Sequence, residues 1–191
     1  TSPFRQLYFL IYCVILCVEF CRRHVYAHIP AGCLRFADGS FFSVEKEVWG
    51  ELPARMNQCY RLGIDIGSTT VKIAVIDDNN KILFADYERH YANIQETLAS
   101  LLKKCKGELG ELSLRPNITG SGGLTLSGYL HIPFVQEVVA VATALQDYAP
   151  RTDVAIELGG EDAKIIYFGT TLEERMNGVC AGGTGSFIDQ M

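Results

Sequence analysis

Two short stretches set glycine between carboxylates and hydroxyls in an order that suits phosphate chemistry. In "DIGSTT", Asp65 precedes Gly67, and Ser68, Thr69 and Thr70 follow. A glycine turn between two β-rich runs leaves backbone N–H groups beside hydroxyls, a nest that binds anions. Asp65 suits a hydrated Mg²⁺, which keeps its waters and takes only one or two carboxylates. Lys72 either adds positive charge or points to solvent. "ELGGEDAK" repeats the device with Glu157, Gly159, Gly160, Glu161, Asp162 and Lys164. One Gly-Ser turn is commonly just a turn. Two glycine-hinged hairpins, one in each half of the organised chain, suggest a clamp that grips phosphates from two sides. A Walker loop is absent, as is the three-glycine dinucleotide fingerprint.

A third stretch, "NGVCAGGTGSFIDQ", places Cys180 against Gly182, Gly183, Thr184 and Gly185, ahead of a helix-like run. Cys180 reads as a buried thiol, a nucleophile or half of a larger site. A cysteine among glycines has little to pack against, and no histidine lies near it in sequence.

The elements that must position these residues become legible after Met56. "RLGIDI", "VKIAVID" and "KILFADY" read as three successive antiparallel strands. Asn93 and Glu96 have capping-box spacing, and Ile94, Leu98, Leu101, Leu102 and Cys105 recur at helical intervals. Gly107 or Gly110 can end that helix. "LRPNITGSGG" reads as a strand running into a glycine turn, followed by a helix with Val135, Val138, Val139, Ala142 and Leu145 on one face. "DVAIELGG" and "DAKIIYFG" form a further strand pair. The order is βββ-α-β-α and then a new hairpin, which implies a first domain over residues 57–150 and the start of a second over 151–191.

The preceding segment, residues 1–55, reads as unpatterned apart from the apolar run Leu7–Phe20. That run falls short of the roughly 20 residues that span a bilayer. Met56 is the expected start of translation, with 1–55 as translated upstream sequence. The 191 residues carry 48% apolar and 20% charged side chains, an ordinary globular composition. A net charge of −5 offers no basic surface to nucleic acid. The seven cysteines are unevenly spaced, which suits reduced thiols in a cytoplasmic protein. His24, His28, His90 and His131 have no ligand spacing, which argues against a zinc site.

The two glycine motifs resemble those of the actin, sugar-kinase and heat-shock-chaperone ATPase superfamily. There, two α/β (ribonuclease H-like) domains of one topology close over Mg-ATP. Within it, "GIDIGSTTVK", "TGSGG", "ELGGEDAK" and "NGVCAGGTGSFIDQM" stand in the order found in activators of 2-hydroxyacyl-CoA dehydratases and in the ATPase subunits of benzoyl-CoA reductases. The resemblance covers Tyr60 to Met191. It implies an actin-like ATPase fold, with the first domain complete and the second truncated. ATP and Mg²⁺ are the implied ligands, with catalytic roles at Asp65, Asp162 and Glu161. Nucleotide contacts are implied at Gly67, Ser68, Thr69, Thr70, Lys72, Gly159, Gly160, Gly182, Gly183 and Thr184. It also implies a homodimer sharing one 4Fe–4S cluster. Cys180 is then the first of two ligands per chain, the second lying beyond Met191. The helix starting near Thr184 would turn its positive end toward the cluster and favour the thiolate. The implied partners are a ferredoxin or flavodoxin donor and a CoA-ester dehydratase or reductase acceptor.

Two departures stand out. Glu157 and Glu161 occupy positions where smaller activators carry Asp and Gln, and Glu161 reads as either a water-orienting group or a surface residue. In this the chain is similar to large multidomain activase-like proteins. A small-molecule kinase of the same superfamily shares both hairpins but has no use for the Cys180 loop. An ATP-gated regulatory module is the non-enzymatic alternative.

Overall fold

The structure, a computed structural model, describes residues 34–37, 40–44, 59–160 and 162–177. Leu34–Ala37 (β1) and Ser40–Val44 (β2) form a short antiparallel hairpin. Hence the front segment is not without pattern. The signal lay in "LRFA" and "SFFSV", which flank Asp38-Gly39, a pair that favours two-residue hairpins.

Cys59–Ile66 (β3), Thr70–Ile76 (β4) and Ile82–Arg89 (β5) follow as an antiparallel meander, as the alternating apolar residues predict. The helix Ile94–Leu109 (α1) then crosses over, so that Ser113–Thr119 (β6) returns parallel to β3. The six strands lie in the order β2-β1-β6-β3-β4-β5. Leu62, Ile64 and Ile66 of the central strand β3 are buried with Val71, Ile73 and Val75 of β4. Leu98, Leu101, Leu102 and Cys105 of α1 close over them. Burying each such Leu or Ile contributes about 1.5–3 kcal/mol. Cys105 is the core thiol the periodicity predicts, and burial, then Glu108, pushes it up to about 11. Cys59, in contrast, is disulfide-bonded, against the expectation of reduced thiols throughout.

The start of α1 differs from a capping box. Asn93 Nδ2 donates to Glu96 Oε2, and Thr97 N–H is taken by the Asn93 carbonyl, so the Asn93 side chain caps nothing. At the other end Gly110, at φ +77°, is the glycine that stops the helix.

Beyond β6 the glycine turn leads into a helix the sequence did not announce, Gly123–Leu130 (α2). Its "GLTLSGYL" carries two glycines, poor helix formers, which hid it. Phe134 then bridges Ile118 in parallel, and Glu137–Tyr148 (α3) follows. Val154–Leu158 (β7), Ala163–Phe168 (β8) and Leu172–Met176 (β9) make a second, antiparallel sheet. Of these only β9, a polar and exposed strand, escaped the sequence pattern. Val135, Ala140, Val141 and Ala144 pack on Ile166 of β8, so α3 covers the second sheet with its apolar face. Among the described residues no helix is long and apolar enough to cross a membrane.

Candidate functional site

The β3–β4 turn is closed by Gly67 N–H donating to Thr70 O at 2.9 Å. Gly67 itself has ordinary room for a Cβ, 3.5 Å from Thr70 O. The steric demand for glycine lies elsewhere. The "TGSGG" loop backs the turn: Gly122 N–H donates to Ile66 O at 2.8 Å, and Gly120 sits at φ +91°. A Cβ on Gly120 would collide with Asp65 Oδ1 and with the Ile66 backbone.

The β7–β8 turn is closed in the same manner, Gly159 N–H donating to Asp162 O at 2.8 Å. The two turns meet. A Cβ on Gly160 would stand 2.6 Å from Thr69 Oγ1 and 3.4 Å from Ser68 Oγ. Around this contact opens a cleft of about 360 Å³, within the size range of small-molecule sites. Gly67, Ser68, Thr69, Thr70 and Lys72 line one side, with Gly159, Gly160, Asp162 and Lys164 on the other. Val141, Val154 and Ile156 add apolar wall. The expected residues of both motifs are thus brought together, except Glu161, which lies outside the described residues. Cys180, Gly182, Gly183 and Thr184 also lie outside them.

Asp65 sits beneath the cleft. Its side chain is 1% exposed, and Oδ2 takes Lys72 Nζ at 2.6 Å. Asp65 Oδ1 is buried with no hydrogen-bond partner. Lys72 therefore faces the cleft while tied to Asp65, which resolves the choice between cleft and solvent.

A second charged group was missed by the sequence reading. Glu137, in the first turn of α3, accepts from Lys164 Nζ at 2.5 Å, and Glu157 Oε1 lies 3.7 Å from the same ammonium. An acid in a helix's first turn is too common to signal a site by itself. Burial, then the neighbouring Glu137, pushes Glu157 up to about 8. Burial works against ionised Glu137 too, yet the hydrogen bond from Glu157 and the Lys164 ammonium hold it below the ordinary carboxylate range. Burial likewise opposes the charge on Lys164, but its bond to Glu137 lifts it to about 12. Glu157 Oε2 is buried without a partner as long as both acids are ionised. A proton on Glu157, donated to Glu137, satisfies it. The cleft thus holds two ion pairs, Asp65–Lys72 and Glu137–Lys164, beside Glu157, whose burial and acidic neighbour favour its protonated form.

Among the described residues no cluster of three or more His, Cys, Asp or Glu side chains is arranged to hold a metal. A cation at Asp65 would have to complete its shell with water or ligand oxygens, as Mg²⁺ does.

Comparison with known proteins gives a consistent assignment. No protein-family model matches the sequence. The (R)-2-hydroxyglutaryl-CoA dehydratase activating ATPase of Acidaminococcus fermentans is 30% identical over 141 residues, 69% of this chain and 52% of that protein. The crystal structure of component A of that organism's dehydratase superposes with a TM-score of 0.57 at 26% identity, covering 70% of this chain and 52% of the other. The activator of 2-hydroxyisocaproyl-CoA dehydratase from Clostridium difficile, solved with bound ADPNP, gives 0.58 at 28% identity, covering 69% and 50%. The chain spans about half the length of the curated relatives it matches. Over that shared span it is homologous to the activators of 2-hydroxyacyl-CoA dehydratases, and its fold is that of an actin-like ATPase domain.

Proposed function

We propose that the chain belongs to an ATP-hydrolysing activator that drives low-potential electrons into a CoA-ester dehydratase or reductase. The observation that carries the reading is the contact of Gly160 with Thr69, which brings two glycine turns to one cleft. The activator solved with ADPNP supports the choice of nucleotide.

In this reading the triphosphate lies between the turns. Ser68, Thr69 and Thr70 offer hydroxyls, and Lys72 and Lys164 offer positive charge. The unpartnered, buried Asp65 Oδ1 fits a water-held Mg²⁺, which would neutralise phosphate charge. Lys72 would then leave Asp65 for a phosphate oxygen. Glu137, held ionised, would orient the attacking water, whose proton passes to the released phosphate, while Glu157 holds Glu137 in place by donating its own proton to it. Asp162 shapes the second turn through its carbonyl and faces the cleft, and Glu161 is assigned to the same turn from sequence.

The electron-transfer part rests on the sequence around Cys180 and on homology. It comprises a homodimer sharing a 4Fe–4S cluster, a ferredoxin or flavodoxin donor and a CoA-ester enzyme as acceptor. Nucleotide-dependent closure of the two sheets would couple hydrolysis to docking or to the cluster's surroundings.

The test is ATP turnover by the intact protein. Asp65→Ala should lower it by about a hundredfold, the usual loss for a group stabilising developing charge. Unchanged turnover would remove Asp65 from the metal site. Transfer of phosphate to a sugar or carboxylate, without need of a protein partner, would replace the activator reading by the kinase one.

A further inference from the structure

The first glycine turn has carbonyls that its own hairpin does not use, and both go to one residue. His90, which follows β5 and is buried, donates its backbone N–H to Thr69 O at 3.1 Å. Its ring Nε2 lies 3.2 Å from Gly67 O. The tautomer follows from the other ring nitrogen. Ala92 N–H donates to His90 Nδ1 at 3.0 Å, so Nδ1 is the acceptor and the ring proton sits on Nε2, from which it is donated to Gly67 O.

The backbone after His90 is bent to make this possible. Tyr91 and Ala92 stand at φ +43° and +67°, two consecutive non-glycine residues in the left-handed region. Such residues persist where the surroundings over-determine them. The bend brings Ala92 N–H back onto the imidazole, and Asn93 N–H donates to His90 O at 2.6 Å just before α1 begins.

We propose that His90 is the positioning residue of the phosphate turn: by holding Gly67 O and Thr69 O it fixes the direction in which the turn's amides face the nucleotide. The proposal rests on the nucleotide reading above. A peptide plane carries its C=O and N–H on opposite sides. Anchoring Gly67 O to the imidazole therefore directs the Ser68 N–H away from His90, which is not among the residues lining the cleft. His90 touches no substrate. It acts on the turn from behind, on the flank opposite the "TGSGG" loop.

Two amide substitutions separate positioning from mere packing. His90→Asn keeps an acceptor near the place of Nδ1 but cannot reach Gly67 O. His90→Gln sets an amide donor near the place of Nε2. Isothermal titration of the intact protein with Mg²⁺ and a non-hydrolysable ATP analogue should give about tenfold weaker binding for His90→Asn, the effect of one misplaced hydrogen-bonding group. His90→Gln should bind within about threefold of wild type. Nitrogen-15 NMR of the wild type should show the Nε2–H tautomer. Equal binding by wild type and His90→Asn overturns the proposal, as does loss in both variants alongside a lowered melting point, or the opposite tautomer. No binding by wild type at all overturns the nucleotide reading itself and the proposal with it.

Discussion

The backbone of Gly160 lies against the Thr69 side chain, with 2.6 Å between Thr69 Oγ1 and the place a Cβ would take. Each turn belongs to a different sheet, so this contact sets the width of the cleft where the two turns meet. Gly160→Ala must push the turns apart, since real Cβ atoms do not approach so closely. Affinity for Mg-ATP should fall about tenfold or more, with the melting temperature little changed, because the turn is at the surface of both cores. Wild-type affinity in this variant, by titration, would show that the turns do not act together.

Gly120 supports the same site from below. Its φ of +91° and the contacts of an added Cβ with Asp65 and Ile66 leave no room for a side chain. Gly120→Ala should destabilise the fold by about 2–4 kcal/mol, combining left-handed strain with overpacking. Urea denaturation monitored by circular dichroism measures it, and a loss below about 1 kcal/mol would contradict the packing described.

Glu157 gives the cleft a pH signature. Its folded value, about 8, lies above the ordinary carboxylate value of 4.5. A raised group stabilises the fold fully below its unfolded value and loses that contribution as pH climbs through the folded one. Wild type should therefore lose stability relative to Glu157→Gln between about pH 5 and pH 8, on the order of 1–3 kcal/mol. Glu137, shifted the other way, contributes above its unfolded value and is lost on acidification. Lys164 stays charged across this window. Parallel stability curves for wild type and Glu157→Gln would exclude a proton on Glu157.

Cys180→Ser tests the electron-transfer part separately. In the proposed dimer it should abolish the brown colour and the iron expected of a cluster while leaving nucleotide binding in place. Iron at wild-type stoichiometry would rule Cys180 out as a ligand.

The positions of the two glycine hairpins were legible because glycine, hydroxyl and carboxylate cluster locally in "DIGSTT" and "ELGGEDAK". The meander and α1 were legible because Leu62, Ile64, Ile66, Leu98, Leu101 and Leu102 keep strict periods, and they are buried as those periods require. What escaped was long-range. Nothing near Glu137 in sequence marks Lys164 as its partner, 27 residues on. His90 lies 23 residues from the carbonyl it holds, and its lack of ligand spacing is consistent with a role in bonding backbone. Asn93 misled for the converse reason: its spacing to Glu96 is that of a cap, yet the two side chains bond each other.

The helix α3 carries one consequence for the placement of Glu137. Its approach is tied to the first sheet, where Val135 N–H donates to Ile118 O at 2.9 Å, and its flank is seated on the second through Ile166. A helix of 12 residues does not stretch, so it keeps a fixed length between the tie that precedes it and its seat on the second sheet. Glu137, seated in its first turn, is therefore held near that tie, whereas Thr69 and Gly160 belong to turns of different sheets.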